Sequence, residues 1–74
     1  MTNIEKVKMD FDGLFWTRRN EMIEEIESLD YSVYEVTSEY VCVQDLQDED
    51  EAEYILYLGH ANTTMWVESV KEAL

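Results

Sequence analysis

The sequence predicts an α+β fold of order αβββα: an amphipathic helix, a three-stranded antiparallel sheet and a closing helix. Residues 4–11 stay open between an extra N-terminal strand and a helix. Three observations predict this. Apolar residues recur at helical spacings of three and four within residues 14–29. Three runs rich in β-branched and aromatic residues follow between 31 and 58, and a second helically spaced stripe closes the chain.

In residues 4–11, Val7, Met9 and Phe11 alternate with Lys6, Lys8 and Asp10, as in a half-buried strand. Ile4, Val7 and Phe11 equally suit one helix face, and Asp12-Gly13 breaks either element. From Leu14 to Leu29, Phe15, Trp16, Met22, Ile23, Ile26 and Leu29 form one stripe, with Asp12 as N-cap. Glu21, Glu24, Glu25 and Glu27 take the other face. They lie towards the C-terminal half, where the helix dipole disfavours negative charge, and a local rule broken in this way often marks a functional surface. Tyr31–Val36 and Glu39–Gln44 read as a hairpin joined by Thr37-Ser38, and Asp45–Glu51 as an acidic loop. Glu53–Leu58, almost wholly apolar or aromatic, reads as the central strand, closed by Gly59. Asn62, Thr63 or Thr64 would cap a last helix whose single apolar face holds Trp66, Val67, Val70, Ala73 and Leu74. Two such helices would cover one face of the sheet and leave the other to solvent or a partner.

Length and composition bound the rest. The 74 residues make one small domain, 1–74. Such a chain buries only roughly 60% of its unfolded surface. A hydrophobic fraction of 46% with two Trp, five Tyr and two Phe is too rich for a disordered acidic tail. Lone Cys42 excludes an internal disulfide and suits a reducing compartment. Neither a long apolar run nor a leader pattern is present, so a cytoplasmic protein without membrane attachment is expected.

Charge is the strongest signal. The formal net charge is −13, and from Asn20 to Val70 fourteen Asp and Glu occur without a single Lys or Arg. Self-repulsion of that size opposes a compact fold, so something other than stability favours it. Salt adaptation fits poorly, because the chain holds only two Gly and is rich in aromatics.

Catalysis is not expected. His60 follows Gly59 at a strand end and reads as a turn residue, Cys42 lies between Val41 and Val43 as a small buried hydrophobe, and no glycine-rich phosphate loop exists. Asp48, Asp50 and Glu53 offer oxygen donors but lack the central Gly of an EF-hand loop. Neither a dedicated metal site nor a cofactor is therefore expected. Direct nucleic-acid binding is disfavoured for want of cations. The reverse follows: a small rigid body with spaced carboxylates can occupy the Arg- and Lys-lined groove of a DNA-binding protein. The candidate residues are the helix carboxylates Glu21, Glu24, Glu25 and Glu27, then Asp30, Glu35 and Glu39, and the loop acids Asp48, Glu49, Asp50, Glu51 and Glu53. The alternative is an adaptor or dimerisation module anchored by an apolar sheet face, Trp16 or a surface Tyr. The chain would be a monomer or a homodimer.

The stretch Asn20-Glu-Met-Ile-Glu-Glu-Ile-Glu-Ser-Leu-Asp30-Tyr31-Ser32-Val33 resembles the first helix and strand of the small type II-A anti-CRISPR family of Listeria prophages, which blocks Cas9. The acidic loop leading into Glu53-Tyr54-Ile55 is similar to that family's loop before its third strand. The resemblance implies a phage-encoded DNA mimic, acting in the host cytoplasm, that fills the basic PAM-reading surface of a nuclease. It implies contacts at Asp30 and Tyr31 and at Asp50 and Glu53. The compact acidic composition suits phage inhibitors of restriction enzymes, DNA glycosylases and RNA polymerase as well.

Overall fold

Two helices precede a four-stranded antiparallel meander in the computed structural model, which describes residues 3–73. Helix α1 spans Asn3–Phe11 and α2 Arg19–Ser28. Strands β1 (Tyr31–Val36), β2 (Tyr40–Asp45), β3 (Glu53–Ala61) and β4 (Thr64–Glu72) follow in sequence and lie in that order across the sheet. The α+β class and the antiparallel sheet are as expected; of the two expected helices only the first is found, the sheet has four strands in place of three, and the order along the chain is ααββββ.

Residues 4–11 take the helical alternative. Val7 and Phe11 are buried, whereas Met9, which strand alternation would bury beside them, is 63% exposed. Helix α2 starts later than its apolar stripe suggests. Asp12 is not its cap; the N-cap is Arg18, in extended backbone without a side-chain hydrogen bond. Gly13 turns the chain at φ 78, and Trp16 then pairs with Met65 through two backbone hydrogen bonds of 2.9 and 2.8 Å. This short extended piece lines the β4 edge of the sheet. It sends Trp16 into the core, 4% exposed, and leaves Phe15 64% exposed.

The expected closing helix is β4, and the cause of the misreading is visible in the ladder. Leu58 pairs with Val67 and Tyr57 with Ser69, so Glu68 is an extra bulge residue. The bulge puts Val67 and Val70 on the same, core-facing side at a spacing of three, which imitates a helix. Asn62, proposed as a cap, has φ 59 in the β3–β4 turn; the short polar side chain that suits a helix cap also tolerates left-handed backbone. A second shift in β1, at Tyr34, likewise brings Val33 and Val36 to the core side.

Strand β3 is interior as expected, but Gly59 does not close it; the strand runs on to Ala61 and carries His60 within it. Gly59 is required where it is, because a Cβ there would stand 2.6 Å from the Trp66 ring. His60 Nε2–H donates to the Ser38 carbonyl at 2.8 Å, tying β3 to the β1–β2 turn. That turn is built by Thr37, whose Oγ1 accepts the amides of Glu39 and Tyr40 at 3.1 and 3.0 Å.

Both helices lie on one face of the sheet. Val7 and Phe11 of α1 and Met22 and Ile26 of α2 join Tyr31, Val41, Val43, Tyr54, Leu56 and Val70 in one core. Among the described residues every buried side-chain polar atom has a hydrogen-bond partner. Replacement of Phe11 by Ala should destabilise the protein by roughly 3–5 kcal/mol, whereas Met9→Ala should shift stability by less than about 0.5 kcal/mol. Urea denaturation midpoints separate the two; a strand over residues 4–11 would make both costly.

Candidate functional site: an acidic end and an open sheet face

The acidic residues gather because turn chemistry at one end of the sheet is built from carboxylates. Asp30 follows α2 with φ 68, the left-handed position that ends many helices, and its amide donates to the Glu27 carbonyl at 3.2 Å. Its Oδ2 accepts a hydrogen bond from Gln47 Nε2 at 2.7 Å, and its carbonyl accepts the Leu46 amide at 3.0 Å. Asp30 is thereby fastened to the loop between β2 and β3. Asp48 organises that loop: its Oδ2 accepts the Ala52 amide at 3.1 Å, and its carbonyl accepts that of Glu51, at φ 52, at 3.0 Å. Gln44 Nε2 donates to Glu51 Oε2 at 3.3 Å. Strand β4 returns to the same end, with Glu72 opposite Tyr54 and the Ala73 amide donating to the Glu53 carbonyl at 3.0 Å.

Of the expected contact residues, Glu27, Asp30, Asp48, Glu49, Asp50, Glu51 and Glu53 are brought together at this end. Two unforeseen acids join them. Asp45 is buried to 4% exposure and accepts the Gln47 amide at 3.0 Å; Glu72 flanks a shallow depression with Asp50, Glu51 and Glu53. The Tyr54 ring lies beneath them. Burial, then the charges of Asp45, Asp48 and Glu72, pushes its hydroxyl pKa up. Lys6 Nζ donates to Gln47 Oε1 at 3.3 Å, and Lys71 stands opposite Ile55, one position before Glu72.

Other expected residues fall elsewhere. Tyr31 is a core residue, not a contact residue. It is 2% exposed, its ring centroid is 5.2 Å from that of Phe11, and its hydroxyl donates to Asp10 Oδ2 at 2.7 Å. Burial first, then the Asp10 hydrogen bond, holds its pKa far above the usual tyrosine value. Glu39 stands at the opposite end of β2 from the acidic loop, about 20 Å away by strand rise. Glu24 is an exposed residue one turn back from Glu27 on α2, while Glu25 Oε1 accepts the indole N–H of Trp16 at 2.6 Å. That bond and its burial remove Trp16 as a surface anchor.

Glu35 belongs to a second surface, the sheet face that carries no helix. Tyr40, Cys42 and Gln44 alternate with core-facing Val41 and Val43; Glu53, Ile55 and Tyr57 alternate with Tyr54, Leu56 and Leu58. Tyr40 pairs with Tyr57 and Glu35 with Cys42, and the Tyr40 hydroxyl donates to Glu35 Oε2 at 2.8 Å. Loss of water first, then the neighbouring Glu53 carboxylate, pushes the Tyr34 pKa up to about 12. Trp66 lies over Gly59 with Phe15 beside it, ring centroids 6.2 Å apart. Cys42 is 7% exposed, and burial, then the Glu35 charge, raises its pKa, which keeps it a thiol.

Among the described residues no group of three or more His, Cys, Asp and Glu is placed to hold a metal ion, and no helix is long and apolar enough to cross a membrane. No protein-family model, curated protein or solved structure matches this chain significantly.

The tyrosines give a signed expectation. Tyr31, Tyr34 and Tyr54 hold their protons more tightly when folded than at the ordinary value of 10.0. Their contribution to stability is present below pH 10 and is lost as pH rises above it, for Tyr34 towards about 12, because the unfolded chain ionises first. Denaturant midpoints measured across that range should fall. In absorbance titration Tyr34→Phe should remove a late-ionising tyrosine.

Proposed function

We propose that this protein binds the basic, nucleic-acid-binding surface of another protein and competes there with DNA. The observation that carries the reading is the convergence of Glu27, Asp30, Asp48, Glu49, Asp50, Glu51, Glu53 and Glu72 on one end of a rigid sheet. Double-stranded DNA carries a negative charge about every 1.7 Å along its axis, and the groove that binds it is lined with Arg and Lys. Carboxylates fixed by backbone turns meet such a groove without the ordering cost of a flexible acidic tail. The net charge of −13 would speed encounter with a cationic target and repel nucleic acid itself. An inhibitor of the phage type, directed at a CRISPR nuclease, a restriction enzyme, a DNA glycosylase or RNA polymerase, is the form this function takes.

A second reading, an adaptor, draws support from the open sheet face, where Phe15, Tyr34 and Tyr57 are 64%, 51% and 36% exposed. Apolar and aromatic anchors of this kind give binding that survives high salt.

Competition binding separates the two. The protein should displace duplex DNA from at least one of a Cas9, a type II restriction enzyme, a uracil-DNA glycosylase and a bacterial RNA polymerase. Because salt screens exposed charge pairs, affinity should fall steeply between 50 and 200 mM salt. Glu49→Lys with Asp50→Lys should abolish displacement. Absence of competition with all four, or salt-insensitive binding, would refute the DNA-competitor reading.

A further inference from the structure

We infer that the helix-free face of the sheet is an arginine-selective docking surface, on which guanidinium groups of the basic partner lie against tyrosine rings; this rests on the partner being cationic. The face joins two chemistries. Tyr34 and Tyr57 are exposed and Tyr40 is half-buried, with the Tyr40 and Tyr57 centroids 6.4 Å apart at 63° and Tyr34 beyond them on β1. Carboxylates stand at their hydroxyl edges: Glu35 accepts the Tyr40 hydroxyl at 2.8 Å, and Glu53 lies near that of Tyr34. The Tyr40 hydroxyl donates to Glu35, so that carboxylate keeps lone pairs for a further donor. A guanidinium is planar, weakly hydrated and forked. It can lie on a ring and still hydrogen-bond a carboxylate beside it, which the compact, strongly hydrated ammonium of Lys does poorly.

Charge selects the occupant. The strands contribute a single cation, Lys71 opposite Ile55, against Glu35 and Glu53 on this face. A second copy would bring another −13 to the interface, and nucleic acid or an anionic lipid surface is repelled on the same ground. An aromatic face edged by carboxylates fits a protein segment bearing arginine. The face also meets the acidic end, since Glu53 belongs to both. One partner can therefore cover the two surfaces, steered by the acidic end and discriminated by the face.

The test uses the full chain and two synthetic peptides of equal length and charge, one with Arg and one with Lys at every basic position. Binding is followed by calorimetry at about 0.15 M salt, where exposed charges interact over about 8 Å. The Arg peptide should bind at least about fivefold more tightly, the effect of one or two exposed cation–π contacts. Tyr34→Ala with Tyr57→Ala should erase that preference and Tyr34→Phe with Tyr57→Phe should keep it, each variant first checked by circular dichroism. Glu49→Gln with Asp50→Asn should weaken both peptides alike. Equal affinity for the two peptides overturns the inference while leaving a charge-driven binder intact, as does a preference that survives the double Ala variant. Failure of both peptides to bind at low salt overturns the inference and the cationic-partner reading together.

Discussion

The structure depends on burying one face of a four-stranded sheet under two short helices. Val7, Phe11, Met22 and Ile26 meet Val41, Val43, Tyr54, Leu56 and Val70, and this cluster supplies most of the apolar burial available to the chain. Helix α2 has little else to hold it. Its N-cap is an arginine without a capping hydrogen bond, two arginines stand where the dipole favours acids, and Glu24, Glu25 and Glu27 stand where it favours bases. Tertiary packing, not helix propensity, keeps it folded. Because the core occupies one face only, the other face and the loop end are free to take compositions that stability would not select.

The acidic end uses that freedom. Its carboxylates are part of the turns that connect the elements: Asp30 ends α2 and grips Gln47, and Asp48 closes the β2–β3 loop on its own amides. Such bonds satisfy polar groups locally while leaving the charges unneutralised. The result is a set of negative charges at fixed separations, which a flexible tail of equal charge does not provide. The same turns bring Glu53 to the corner where the acidic end meets the tyrosine-bearing face. The acidic end and the aromatic face thus share a boundary.

Much of this was legible in the chain, and the exceptions have definite causes. Strands β1 and β2 were marked by β-branched and aromatic runs and by Thr37, and the acidic loop by its lack of pattern. Residues 4–11 were ambiguous because Val7 and Phe11 satisfy both periods; only the exposure of Met9 decides between them. Strand β4 was misread because the bulge at Glu68 gives Val67 and Val70 a helical spacing and Asn62 serves hairpin turns as readily as caps. The charge of the loop acids and Asp30 is plain in the sequence, but their convergence depends on the turn that ends α2 and on Gln47. Tyr31 was not recognisable as a core residue, since its burial rests on Phe11 and Asp10, twenty residues or more away. The alternation in β2 and β3 held the open face, but one-sided burial had to be known before its outward rings could be assigned.

The one-sided core tolerates mutual repulsion among carboxylates fixed at one end. Thermal midpoints measured against NaCl test it most directly. Screening shortens from about 30 Å at 0.01 M to about 8 Å at 0.15 M, so the midpoint should rise over that range and level off above it. The rise should be smaller in the Glu49→Gln, Asp50→Asn variant, which starts from a higher midpoint in dilute buffer. A midpoint that stays flat or falls with added salt, or a variant with an unchanged salt response, would contradict the account.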